Sequence, residues 1–147
     1  MTARFTALLA STVVSIGALQ AHADAVPDEA KLYKSPACGC CDGYADHLES
    51  KGIDVEVIDT DNLHQIKQQA GLPYGEGACH TMEMGSYVIE GHVPFAAIDK
   101  LFETMPDIDG ISLAGMPIGT PGMPGIQEEP YEVKSFTDRE ASPFMTL

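Results

Sequence analysis

Positive charge is scarce in this chain: 8 lysines and arginines face 22 aspartates and glutamates, a net charge of −14 over 147 residues. So acidic a surface repels phosphate backbones and excludes nucleic acid as a partner, while raising the local concentration of cations. Also missing is an apolar run long enough to cross a bilayer. The longest, residues 5–19, covers about 15 positions, whereas a spanning helix needs ~20. Cysteine is sparse and unevenly spread: three of the four sit in Cys38-Gly39-Cys40-Cys41, and the last is Cys79. A structural disulfide framework spreads its anchors along the chain, so this crowding argues for metal binding or redox chemistry instead.

The N-terminus reads as an export leader. Arg4 precedes the apolar run, and Ala21-His22-Ala23 has the small-x-small form of a signal-peptidase site. A signal peptide over 1–23, cleaved after Ala23, is therefore expected, with a retained membrane anchor as the alternative. Cleavage would remove Arg4, the one lysine or arginine ahead of Asp24, and take the net charge from −14 to −15. No membrane span is expected after cleavage.

Past the leader, strand and helix signals alternate. Lys31-Leu32-Tyr33 reads as a first strand, stopped by Ser35-Pro36. A helix is expected over 41–50, with Tyr44, Ala45 and Leu48 on one face and Gly52 as its stop. Ile53, Val55 and Val57 alternate with Asp54 and Glu56, a strand over 53–58. A second helix over 63–70 follows possible caps at Asp59-Thr60-Asp61-Asn62 and is closed by Gly71 and Pro73. Cys79-His80-Thr81-Met82 reads as part of a glycine-rich loop, and 86–90 as a strand. A third helix starts at Pro94, buries Ile98, Leu101, Phe102 and Met105, and ends at Pro106.

Such alternation means an α/β fold with its strands in one sheet. A Cys-x-x-Cys between the first strand and first helix specifies the thioredoxin-like form. The expected organisation is a single thioredoxin-like metal-binding domain over 24–110, then a Gly/Pro/Met-rich C-terminal extension over 111–147. Proline and glycine recur too often from Gly115 to Gly125 for a helix or central strand. Tyr131-Glu132-Val133 is expected as an edge strand, and the last ten residues as loosely ordered.

Three thiolates a few ångströms apart repel one another, so the cluster must keep its protons, oxidise or accept a cation. A helix N-terminus favours anions and should lower the pKa of thiols placed there. Cys38 and Cys41, three apart, share a helix face; Cys40 points elsewhere unless the turn is irregular. Zinc is one candidate ion, although its structural sites draw on two separated cysteine pairs rather than three plus one. Iron–sulfur spacings fit less well. Copper fits the surroundings, because His80, Met82, Met84, His92, Met116 and Met123 are soft or borderline donors outside the core pattern. His47 and His64 read as surface residues of helices. Element order brings the loop before the third strand against the cysteine turn, and with it Cys79.

With Tyr33-Lys34-Ser35-Pro36, Cys38-Gly39-Cys40-Cys41, Cys79-His80-Thr81, Glu90-Gly91-His92-Val93-Pro94, Gly115-Met116-Pro117 and Gly119-Thr120-Pro121-Gly122-Met123 in this order, the chain resembles the exported CopG-type copper-resistance proteins. The resemblance implies a thioredoxin-like domain that holds copper through Cys38, Cys40, Cys41 and Cys79. It implies a periplasmic role in copper tolerance, with interconversion of Cu(I) and Cu(II). His80, His92, Met116 and Met123 fall in the same blocks and are candidate metal ligands; Met82 and Met84 lie where the likeness is looser and are not. Copper-efflux or copper-oxidase proteins are the partners this implies. Two other readings stay open: a thiol–disulfide oxidoreductase using Cys38 and Cys41, and a non-enzymatic copper chaperone. In the copper readings the Gly-Met-Pro segment is expected to fold over the site as a lid.

Overall fold

The computed structural model describes residues 26–147 of the chain; the leader expected at 1–23 lies outside them. Among these residues seven strands and three helices follow in the order β1 (Glu29–Lys34), α1 (Gly39–Glu49), β2 (Asp54–Asp59), α2 (Leu63–Gln69), β3 (His80–Met84), β4 (Tyr87–Glu90), α3 (Phe95–Thr104), β5 (Gly110–Ser112), β6 (Glu132–Thr137) and β7 (Glu140–Thr146). All strands join one mixed sheet in the order β2-β1-β3-β4-β5-β6-β7. Of the neighbouring pairs, β1–β2 and β4–β5 are parallel and the remainder antiparallel.

The sheet's register explains where the core lies. Leu32 pairs with Met82, Met82 with Ile89 and Ile89 with Ile111, and each of these side chains is fully buried. The apolar faces of α1 (Tyr44, Ala45, Leu48) and α3 (Ala97, Ile98, Leu101, Phe102) join this row in one cluster. Side chains alternate across a strand, so Thr81 and Glu90, neighbours of Met82 and Ile89, stand on the opposite face. There α2 reaches β3, through Lys67. The result is helix, sheet and helix in three layers; strand and helix alternate as expected as far as α2, after which β3 and β4 follow one another.

Several expectations need correction. His80, Thr81 and Met82 belong to β3 rather than to a loop; the glycines before them masked a strand only five residues long. Val57 is 40% exposed in spite of its alternating pattern, because β2 is an edge strand and the second helix lies elsewhere. Met105 is also 40% exposed and not in the core. Pro106 cannot continue the helix, and Met105 turns into the left-handed region at φ 42° as its cap. The last residues are not loosely ordered: they form β7, the sheet edge, and leave β6 internal. Phe144, Met145 and Leu147 pack against the core, which repays ordering the tail.

Candidate metal centre

Cys38 caps α1 from outside the helix, with φ −89° and ψ 84°. Its N–H binds the carbonyl of Ser35 at 2.9 Å, so the turn after β1 is closed by the backbone. Because Cys38 lies outside the helix, its side chain meets that of Cys40 as well as that of Cys41. Cys38 and Cys41 form a disulfide, while Cys40 and Cys79 are free thiols. The sulfurs of Cys38 and Cys40 are 3.5 Å apart. Cys41 is fully buried and the other three cysteines are half-buried.

Cys79 ends the loop before β3 and does close over the early trio. The Sγ atoms of Cys38, Cys40, Cys41 and Cys79 all lie within 4.8 Å of one another. A second group with the same spacing takes Cys41 and Cys79 together with one ring nitrogen each of His80 and His92. Two donor sets therefore share two sulfurs: an all-sulfur set toward solvent and a mixed sulfur–nitrogen set facing inward.

Both imidazoles are completely buried. His92 has its two nitrogens engaged on opposite sides: Nδ1 is 2.6 Å from the carbonyl oxygen of Pro121, and Nε2 is 3.0 Å from Cys79 Sγ. A carbonyl only accepts, so Nδ1 carries the proton and Nε2 presents its lone pair to the sulfur side. That outer hydrogen bond is the arrangement that orients a metal-binding histidine. His80 Nδ1 stands 3.6 Å from Cys79 Sγ, and its Nε2 is buried with no hydrogen-bond partner among the described residues. A buried polar atom left unpaired is costly, and a bound cation is one way to satisfy it. Tyr44 packs its ring 4.7 Å from His80 and 5.2 Å from His92, and donates its hydroxyl to the carbonyl of Val93 at 2.8 Å. Burial pushes its phenol pKa up, so it stays protonated.

The electrostatics of these groups suit a cation. Burial, with His92 and Lys67 nearby, lowers the His80 pKa to about 3. Burial also lowers that of His92, opposed by its bond to Pro121. Both rings are thus neutral and able to coordinate. The Cys79 thiol is pushed up to about 12, first by burial and then by Cys40. With no cation to balance it, a thiolate there is strongly disfavoured. In the disulfide, Cys38 and Cys41 do not titrate at all.

The two methionine candidates fall differently. Gly115 forms a parallel bridge with Ala78, beside Cys79, and the next residue, Met116, is 54% exposed. Met123 is half-buried. It follows Gly122, whose backbone lies against the first turns of α1: a Cβ on Gly122 would come within 2.6 Å of both the Cys40 carbonyl oxygen and the Tyr44 nitrogen. The segment does pack beside the cysteines, but its near groups are the Pro121 carbonyl and the Gly122 backbone. Met82 and Met84 are core residues. His64 is exposed and His47 half-buried, both away from the cluster. Reading the residues alone missed Tyr44 as the wall of the site and Lys67 as its neighbour. Glu90, a charged residue inside an apolar strand, was the available signal.

Among known families, the one described as a protein of unknown function, DUF411, matches residues 77–123. Two solved structures are similar over nearly their whole length. One titled "Copper resistance protein copG- Form 2" is 35% identical, with a TM-score of 0.76, over 82% of this chain and 98% of its own. "Copper resistance protein copG- Form 1" is 34% identical, with a TM-score of 0.75 and the same coverage. No curated protein sequence matches the chain.

Proposed function

Since the chain belongs to the CopG family of copper-resistance proteins, we propose that it is an exported, periplasmic protein that captures copper and changes its oxidation state. The observation that carries this reading is the convergence of four sulfurs and two neutral imidazoles on shared donor sets. Thiolates prefer Cu(I), and imidazole suits either oxidation state of copper. Cys38, Cys40, Cys41 and Cys79 would hold the ion or ions, bridging where more than one is bound, with His80 and His92 completing the inner set. Zinc could use the same donors. The crowding of sulfur and the copper-resistance relatives favour copper.

A thioredoxin-like domain is the finer fold reading. Its support is the order β2-β1-β3-β4, with β3 antiparallel to its neighbours and the cysteine turn between β1 and α1. The residues 115–125 act as a lid, supported by the contacts of Pro121 and Gly122 with His92 and α1. Met116 and Met123 are proposed as further Cu(I) donors on that lid. If the double change Met116→Ala and Met123→Ala leaves Cu(I) affinity unaltered, the lid has no ligand role.

The redox step balances without any further reagent. Two Cu(II) ions each take one electron; the Cys38 and Cys41 thiols lose two electrons and two protons, and the S–S bond forms. The reverse direction oxidises Cu(I). Copper-efflux or copper-oxidase proteins are the partners to which the product would pass. A non-enzymatic carrier would bind copper equally well and would show no stoichiometric oxidation of Cys38 and Cys41 by Cu(II).

The disulfide itself favours a second reading, thiol–disulfide exchange with Cys38 as nucleophile and Cys41 as resolving thiol. Anaerobic Cu(I) titration of the reduced protein against a competing chelator separates the two, repeated with each cysteine changed to serine. The copper reading expects more than one ion per chain and weakened binding at all four positions. Wild-type affinity in Cys79→Ser would overturn the shared cluster. Turnover of insulin disulfides by metal-free protein that binds no Cu(I) would establish the second reading.

A further inference from the structure

We propose that Lys67 and Glu90 are positioning residues for the metal centre, an ion pair on the far face of the sheet that grips the chain on either side of Cys79 and His80. The inference rests on the copper reading for its purpose and on hydrogen-bond geometry for its mechanism. Glu90 is 0% exposed. One of its carboxylate oxygens accepts the Ala78 N–H at 2.6 Å and pairs with the Lys67 ammonium; the other accepts the Thr81 hydroxyl at 2.7 Å. The ammonium also donates to Thr81 Oγ1 at 2.9 Å and to the His80 carbonyl at 3.3 Å.

An ammonium has three donors, and all three are used. The chain is held immediately before Cys79, at the carbonyl of His80 and again at Thr81, so the two donors in between have little freedom. The same carboxylate stands two residues before His92. One side chain therefore ties both arms of the inner donor set to a common point.

Stability alone does not account for the pair. A satisfied buried ion pair is often no more stabilising than apolar groups of similar volume, because two charges must leave water to form it. Its constraint on orientation is what apolar packing could not supply. The placement of α2 agrees. That helix buries no residue fully, with Leu63, Ile66 and Lys67 only half-buried, and Lys67 is its side-chain hold on β3 and β4, beside one bond from Arg139 to the Gln68 carbonyl. A short helix with so little core of its own is well explained as the carrier of one lysine.

The test uses the whole protein and the variants Glu90→Gln, Lys67→Met and Lys67→Arg. Backbone amide exchange at Ala78 is measured without metal; Cu(I) affinity by chelator competition and the near-ultraviolet Cu(I)–thiolate band are measured after loading. In Glu90→Gln and Lys67→Met, Ala78 exchange should quicken at least tenfold, Cu(I) affinity should fall tenfold or more, and the band should change. Lys67→Arg, which keeps a cation and its donors, should recover most of the affinity. If Glu90→Gln does not fold, Thr81→Val removes a single hydroxyl from the network and should weaken Cu(I) several-fold. A folded variant with wild-type affinity and band overturns the proposal, even where Ala78 exchange quickens. Should wild-type protein take no Cu(I), the copper reading fails instead; the grip is then judged on Ala78 exchange alone, and unchanged exchange in Glu90→Gln refutes it.

Discussion

Cys79 meets every element of the site: the α1 thiols, His80 beside it and His92 across from it. Its thiol, pushed up to about 12, must lose a proton before it can coordinate. At every pH below that value binding releases this proton, so Cu(I) affinity rises with pH. The sign follows directly: raising the pH removes a product of the binding reaction. One proton corresponds to about tenfold in affinity per pH unit, and the remaining thiols add to that slope. Competition titrations of reduced protein at several pH values between 6 and 9 should give a slope of at least one, reduced by about one in Cys79→Ser. Pro121 illustrates what single residues did not disclose. Its carbonyl selects the His92 tautomer, yet a backbone oxygen has no signature in a side-chain pattern.

Elements make the centre by close approach, most tightly where Gly122 crosses α1. Gly122 has φ 80°, and any Cβ there would strike the Cys40 carbonyl and the Tyr44 nitrogen. Left-handed strain alone costs a larger residue roughly 1–3 kcal/mol, and the collision adds to it. Gly122→Ala should therefore lift the segment from α1, lowering stability in urea titrations by at least that range and weakening Cu(I). Unchanged stability would mean that the contact is not held in solution. The elements that the residues revealed were those with a period. Tyr44, Ala45 and Leu48 repeat as a helix face, and Ile98, Leu101 and Phe102 repeat as another. β3 is only five residues long and follows a glycine-rich stretch, and β7 contains Pro143 at a sheet edge, so neither announced itself. The convergence of Cys79 on the cysteine turn was legible from element order. The pairing of Lys67 with Glu90, 23 residues apart, was not, since nothing local links the two.

At the scale of the molecule, the chain beyond residue 110 is no appendage. It adds β5, β6 and β7 to the sheet, and Leu147 exchanges two backbone hydrogen bonds with Tyr131, at 2.8 and 3.1 Å. Ending the chain after Asp138 would bare the edge of β6 and remove Phe144, Met145 and Leu147 from the core. The lost apolar burial is on the order of 3 kcal/mol or more, and an uncovered internal strand offers its backbone to other chains. The truncated protein should melt at a lower temperature and associate with rising concentration; a monomer with the original melting temperature would show that β7 is dispensable. High negative charge works in the same direction as this covered edge, keeping copies apart. The bond from His92 to Pro121 also gives assembly an order in time. A polypeptide stopped before that proline would already own all four cysteines but would lack the carbonyl that turns the imidazole toward them, so the finished donor set comes into being only after the later part of the chain has folded back over the earlier one.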